Sequence, residues 1–458
     1  VSPGRLPFSQ PLLLALVLAG CLLGATAHAI PPFARKYATG CQTCHTVYPR
    51  LNPFGEAFRR RGYRFPGVDS DAMKQENIAL GQEAYKQVFP QAVWPGLLPA
   101  TLPLGAGASG QAVMHPDLTS SAARADHGSL FSLQGLVGEV RLWAGGSFDD
   151  AITFIADVGV DSHGTVDVAA AAVHVNDLLG PTTPVNLVVG QAVANLTSFS
   201  VHSSYVADAL LPPVATAALY GATTNGFQLQ APAPGLELNG VLAEHLTWAL
   251  GLSAGSTVGL RPTGNAWAHV GTLWGNTEAP GFWHDASVTA DLFGYRASSR
   301  FLSASGALTA DTALVLGGAV RVAVKGLELD VGAYAQGHDH AQADNDGVAP
   351  GQAGALVVVQ YDELSWQLFP WLVPAVRVEY LRATTPAGAA AWSLRVMPGV
   401  AVLFRQNLKA VLTAQFETAA GVLPGGWAGA GGWAQPTTEQ PTVKFEAEAV
   451  VLSLAAAF

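Results

Sequence analysis

Covalent cross-linking has little to work with here: the 458 residues include three cysteines, and methionine is just as scarce. Charged residues make up only 12% of the chain. After residue 29 no run of about 18 apolar residues is free of charge, polar residues or Pro, so a membrane-spanning helix is excluded. A disulfide framework is excluded as well, since Cys21 lies in an N-terminal export signal and only Cys41 and Cys44 remain. Stability must therefore come from a large core or from a membrane.

Residues 1–29 have the layout of a secretory signal. Arg5 supplies the positive end, Leu12 to Leu23 the apolar core, and Ala27-His28-Ala29 a small-x-small cleavage site. A second reading, a lipoprotein box at Leu18-Ala19-Gly20-Cys21 with Cys21 acylated, stays open beside it. Both readings place the chain outside the cytoplasm.

Charge is unevenly spread. The whole chain carries −10, with 23 Lys and Arg against 33 Asp and Glu. Residues 30–66 run the other way: Arg35, Lys36, Arg50, Arg59, Arg60, Arg61 and Arg64 face a single acid, Glu56. A small basic head precedes a long acidic body, and the two should attract. Nucleic acid is not an expected partner.

The head contains Cys41-Gln42-Thr43-Cys44-His45. Cys-x-x-Cys-His is the spacing for attachment of one covalent haem c: two thiols add to the vinyl groups, and the next imidazole ligates the iron from the proximal side. A redox Cys-x-x-Cys would sit in a βαβ setting, and a zinc site would need further ligands. The distal ligand is open among Met73, Met114, His115 and Met397. Asn52 and Pro53 begin a helix that Gly62 ends. On that helix Phe54 and Phe58 face either a porphyrin or Tyr37. Arg59-Arg60-Arg61 either pair with propionates or lie in solvent.

From about Ser129 the chain alternates in polarity over roughly ten-residue segments, the pattern of an antiparallel transmembrane β-barrel. Leu314–Val324 turns at Lys325-Gly326 and returns over Leu327–Ala335. Leu314, Leu316, Val320, Leu327 and Leu329 share one face, while Arg321, Glu328, Asp330 and Tyr334 share the other. A two-residue turn puts Arg321 opposite Asp330. Segments around Ile152–Asp161, Val376–Tyr380, Leu408–Glu417 and Val450–Phe458 repeat the pattern. At roughly 20 residues per strand and loop the body makes about 16 strands, apolar toward lipid and charged toward a wet lumen. A soluble sandwich or propeller is the rival architecture. Residues 67–128, Pro- and Gly-rich around Trp94-Pro95-Gly96, are expected to be a linker or lumen-lining segment, with the barrel over 129–458. Gly337-His338-Asp339-His340 through Gly347 is expected in a long extracellular loop, solvated or ligand-binding.

Phe33-Ala34-Arg35-Lys36-Tyr37, the Cys41–His45 motif and Asn52-Pro53-Phe54-Gly55-Glu56-Ala57-Phe58 together resemble the cytochrome–porin fusions of bacterial outer membranes. The resemblance covers residues 30–66 specifically and the rest by architecture. It implies a mainly β protein with a small α-helical monohaem cytochrome c head, located in the bacterial outer membrane. It also implies electron transfer from extracellular Fe(II) or a similar donor to a periplasmic c-type cytochrome or similar carrier, whether or not this counts as an Fe(II) oxidase. Two other functions remain: a diffusion porin with a structural or sensory haem plug, and a soluble periplasmic cytochrome with a β-rich partner domain.

Overall fold

The computed structural model describes residues 32–48, 50–65, 75–91, 97–114, 131–148, 151–180, 185–196, 229, 231–243, 245–255, 264–275, 286–302, 308–340, 354–384, 388, 390–421 and 446–457. The export signal with Cys21, and the candidates Met73 and His115, lie outside these residues.

The head folds first in chain order. It contains α1 (Pro32–Lys36), a 3-10 turn over Cys41–Thr43, the hairpin strands β1 (His45–Val47) and β2 (Arg50–Leu51), and α2 (Pro53–Arg60). Beyond it come β3 (Ile78–Ala79), α3 (Glu83–Val88) and β4 (Leu97–Leu98), with β3 and β4 paired.

Sixteen longer strands follow. The first five are β5 (Leu104–Met114), β6 (Phe131–Ser147), β7 (Ile152–Asp161), β8 (Val166–Val175) and β9 (Val185–Ala192). Then come β10 (Ala233–Leu242), β11 (Leu246–Ala254), β12 (Gly264–Trp274), β13 (Ser287–Leu302), β14 (Leu308–Val324) and β15 (Leu327–His338). The last are β16 (Ala355–Trp366), β17 (Leu372–Thr384), β18 (Ala390–Arg405), β19 (Leu408–Gly421) and β20 (Glu446–Ala457). Each pairs antiparallel with its chain neighbour, and β20 pairs with β5, closing a single barrel. A closed sheet leaves no edge and is neither a sandwich nor a propeller.

The barrel begins earlier than the hydropathy pattern indicates. Leu104–Met114 falls in the stretch expected to be a linker, yet it forms the seam with β20. Its sequence, LGAGASGQAVM, alternates glycine and alanine with few polar residues, so its two faces scarcely differ in polarity.

The expected hairpin holds in register. Arg321 stands opposite Asp330 across the Lys325-Gly326 turn, where Lys325 takes φ 47 and Gly326 φ 82. Outward positions are aliphatic and uncovered: Leu250, Leu252, Leu292, Leu314, Leu316 and Leu412 are all exposed. Inward positions alternate with them and include Asp291, Glu328, Asp330, Glu363, Arg377 and Glu417, all buried. An apolar belt of this extent around a polar interior is the surface of a barrel that lies in lipid.

The two ends differ. One carries the tight turns 325–326 and 406–407, and the opposite end carries the connections 193–232, 339–354 and 422–445. The start of β5 and the end of β20 lie at the tight-turn end. Leu316 is 58% exposed near mid-height of β14. Leu316→Arg is expected to destabilise the barrel by roughly 2–4 kcal/mol, read from urea unfolding in lipid vesicles. An unchanged midpoint would place that face away from lipid.

Candidate functional site

The head occupies the tight-turn mouth of the barrel, inside the wall. Local sequence explains its shape. Asn52 caps α2 by accepting from Gly55 N at 2.8 Å, and Pro53 takes the first helical position. The same Asn52 amide donates to the carbonyls of Gln42 (3.1 Å) and Thr43 (3.0 Å), tying the Cys-x-x-Cys turn to the start of the helix. Gly55 is required by this approach, because a Cβ there would collide with the Cys44 carbonyl. Gly62, at φ 70, ends the helix as expected.

Basic side chains of the head meet the barrel on several sides. The Arg50 guanidinium is fully buried and bonds Glu363 at 3.0 Å, Asp330 at 3.3 Å, and Glu328. Arg321 adds a bond to Glu328 at 2.6 Å and donates to the Leu51 carbonyl. Arg60 donates to Thr247 at 2.9 Å and lies 3.6 Å from Asp291. Arg64 pairs with Asp177 at 2.7 Å, and Arg59 reaches Asn195 at 3.3 Å. On the remaining side Lys409 donates to the Tyr48 carbonyl, and Gln42 donates to the Pro370 carbonyl. The expected attraction between basic head and acidic body is thus a set of buried bonds. Arg59 and Arg60 bond Glu56 and the wall, so they are not a solvated helix end.

Cys41 and Cys44 are both free thiols, Cys41 buried and Cys44 partly so. Burial pushes the Cys44 thiol up to about 12, with a contribution from Cys41. The His45 ring lies against Tyr48, centroids 5.3 Å apart. Phe54 and Phe58 pack with Tyr37, joined by Phe33, Cys44, Tyr63 and Phe65. Of the two readings for these phenylalanines, mutual packing with Tyr37 is the one observed. Two thiols beside one imidazole, with Cys44 facing an aromatic cluster, are a donor set that fits covalent haem.

The candidate distal ligands are not gathered there. Met114 ends β5 at the long-connection rim with its side chain exposed, away from the head. Met397 is fully buried inside the barrel and packs against Ala375. Below it on the same strand, Ala401 and Leu403 pack against Val47 of β1. His174 carries no spacing signal and the sequence reading did not single it out. It points inward from β8 and lies 5.3 Å from the Tyr63 ring.

Above the charged layer the lumen is packed, not wet throughout. Phe293, Tyr295, Val315, Tyr334, Val357, Val359, Tyr361 and Leu381 form one buried cluster on the inner wall. Leu196 and Leu229, which flank the connection 197–228, belong to it. Near the far rim His338 is the last residue of β15, not a loop residue. It is buried and bonded to Asp311 at 2.6 Å. Residues 341–347 lie outside the described set, and among the described residues no group of three metal-capable side chains forms.

No family profile matches the chain, and no curated protein does. Solved structures similar in shape include a loop-deleted OmpT from the outer membrane of Vibrio cholerae. It is 13% identical at a TM-score of 0.49, over 78% of this chain and 98% of that one. The anion-selective porin of Comamonas acidovorans is 11% identical at 0.47, over 78% and 98%. The outer-membrane channel DcaP of Acinetobacter baumannii is 12% identical at 0.45, over 78% and 96%.

Two expected outcomes test the plug. Arg50→Met leaves three carboxylates around a missing cation and should cost about 3–5 kcal/mol, seen as a lower thermal midpoint and protease cleavage within 32–65. The second concerns Glu56. Burial alone would raise its carboxyl, but Arg59 and Arg60 beside it bring it down to about 2. A depressed folded value contributes stability that is present above the unfolded value of about 4.3 and is lost as pH falls toward 2. Glu56→Gln should therefore flatten acid unfolding between about pH 4 and pH 2, followed by circular dichroism.

Proposed function

We propose that the chain is an electron-transfer protein of the bacterial outer membrane, using one haem c held by the head inside the barrel. The observation that carries this reading is the position of Cys41, Cys44 and His45 on a plug in the tight-turn mouth. In outer-membrane barrels the short turns are periplasmic, so the motif faces the compartment where an exported chain and a periplasmic carrier would meet it. A bilayer core of about 30 Å does not conduct electrons, and the barrel brings a redox group inside that thickness.

Each residue has a part in this reading. The Cys41 and Cys44 Sγ atoms each add to a vinyl carbon, and the thiol proton goes to the neighbouring carbon. His45 Nε2 or Nδ1 supplies the proximal ligand. Asn52 and Gly55 hold the turn that presents both thiols. Arg50 fixes the head in the wall, so that the motif keeps one position. The bound group supplies one-electron oxidation and reduction, and the protein sets its potential through ligand, burial and charge. Acidic inward residues favour an extracellular cation donor such as Fe(II), with a periplasmic c-type cytochrome as acceptor.

A diffusion porin with a haem plug is the second reading. The head in one mouth and the packed cluster above it weigh against it, because both take volume that solute would need. A soluble periplasmic cytochrome is disfavoured by the exposed aliphatic belt.

The test is direct. Outer membranes from expressing cells should contain protein that stains for haem after denaturation, and Cys41→Ser or Cys44→Ser should lose most of the stain. Anaerobic mixing of the purified protein with Fe(II) should shift the haem absorption bands to the reduced form. Stain confined to the soluble fraction, or bands unmoved by Fe(II) and by other extracellular donors, would overturn the reading.

A further inference from the structure

His174 is buried, 7% exposed, and neither ring nitrogen has a hydrogen-bond partner. That is unusual for a histidine facing the interior of a wall, where one nitrogen normally finds an acceptor. Polar groups around it are bonded. Thr153, its register partner on β7, donates to the Gly62 carbonyl at 2.8 Å. The Asn176 amide donates to Thr153 at 3.2 Å, and Arg64 holds Asp177 at 2.7 Å. The His174 ring is the group left without a use.

Its surroundings point to one. The ring meets Tyr63 edge-on at 5.3 Å, and Tyr63 stacks on Phe33 at 5.1 Å. Tyr63 is held in the left-handed region at φ 62, which a bulky residue adopts only when its surroundings demand it. Both rings belong to the aromatic cluster that also contains Cys44. An imidazole with both nitrogens unpaired thus faces the same cluster as the attachment motif. It is carried by the barrel wall, while the motif is carried by the plug.

We propose that His174 is the distal ligand to the haem iron, so that wall and plug each supply one imidazole. The proposal rests on the haem reading above and deepens it. It sets His174 ahead of Met397, which shows no contact with the head, and of Met114, which lies at the other rim. Two imidazoles give a low-spin iron of lower potential than an imidazole–thioether pair.

The experiment uses the full-length protein purified from outer membranes, with near-infrared magnetic circular dichroism and electron paramagnetic resonance of the oxidised form. The wild type should show the bis-imidazole signature. His174→Ala should lose the low-spin signal and regain it on adding free imidazole, and His174→Met should raise the midpoint potential. Met397→Leu should change neither. Heat-modifiable gel mobility controls for folding, and His174→Met preserves bulk if the alanine variant does not fold. A thioether signature lost in Met397→Leu, or an unchanged low-spin spectrum in both folded His174 variants, would overturn the ligand assignment. Absence of haem stain from the denatured wild type would instead overturn the parent reading, and with it this one.

Discussion

One buried cation organises the interior. Arg50 carries its charge into a space with no exposure and meets Glu328, Asp330 and Glu363 there. Taken singly, such groups would be expensive to remove from water; together they neutralise one another, and Arg321 and Arg377 complete the balance. The network therefore makes sense only when head and barrel are present in one assembly. A barrel without its head would leave carboxylates crowded on one inner wall, and a head without its barrel would expose Val47 and the aromatic cluster.

The two faces of the sheet answer to two solvents. Outside, aliphatic side chains stand uncovered because lipid covers them. Inside, composition changes with height: charge where the head sits, aromatic and aliphatic residues above it, and polar residues such as Asp311 and His338 near the far rim. A simple inside-polar rule describes only the lowest of these layers. The upper part of the lumen is packed like a protein core, with Leu196 and Leu229 leading into it.

Much of this could be read from the chain. Strict period-two alternation around Arg321 and Asp330, with a two-residue turn between them, determined register and facing together. Asn52, Pro53 and Gly62 marked the ends of one helix through local chemistry that does not depend on the rest of the fold. Where polarity contrast faded, the pattern failed. The Gly- and Ala-rich seam strand Leu104–Met114 looked like a linker, since its pairing is specified by strands far away in sequence. His174 was invisible for a related reason: its neighbours Tyr63 and Phe33 come from the head, and nothing in its own segment announces them. Tertiary contacts of that kind are not encoded at any fixed spacing.

The separation between bonded partners has a consequence for how the molecule forms. Arg50 reaches a residue 313 positions away, and Lys409 reaches back 361 positions to Tyr48. The seam likewise joins the first barrel strand to the last. Contacts so distant form slowly, after local hairpins such as the one at Lys325-Gly326 are already in place. The basic head emerges before every strand of the barrel and ends up touching strands from both halves of it. It acts as a core on which the sheet curls, so that any group joined to the head must be in position before the last strand closes the wall behind it.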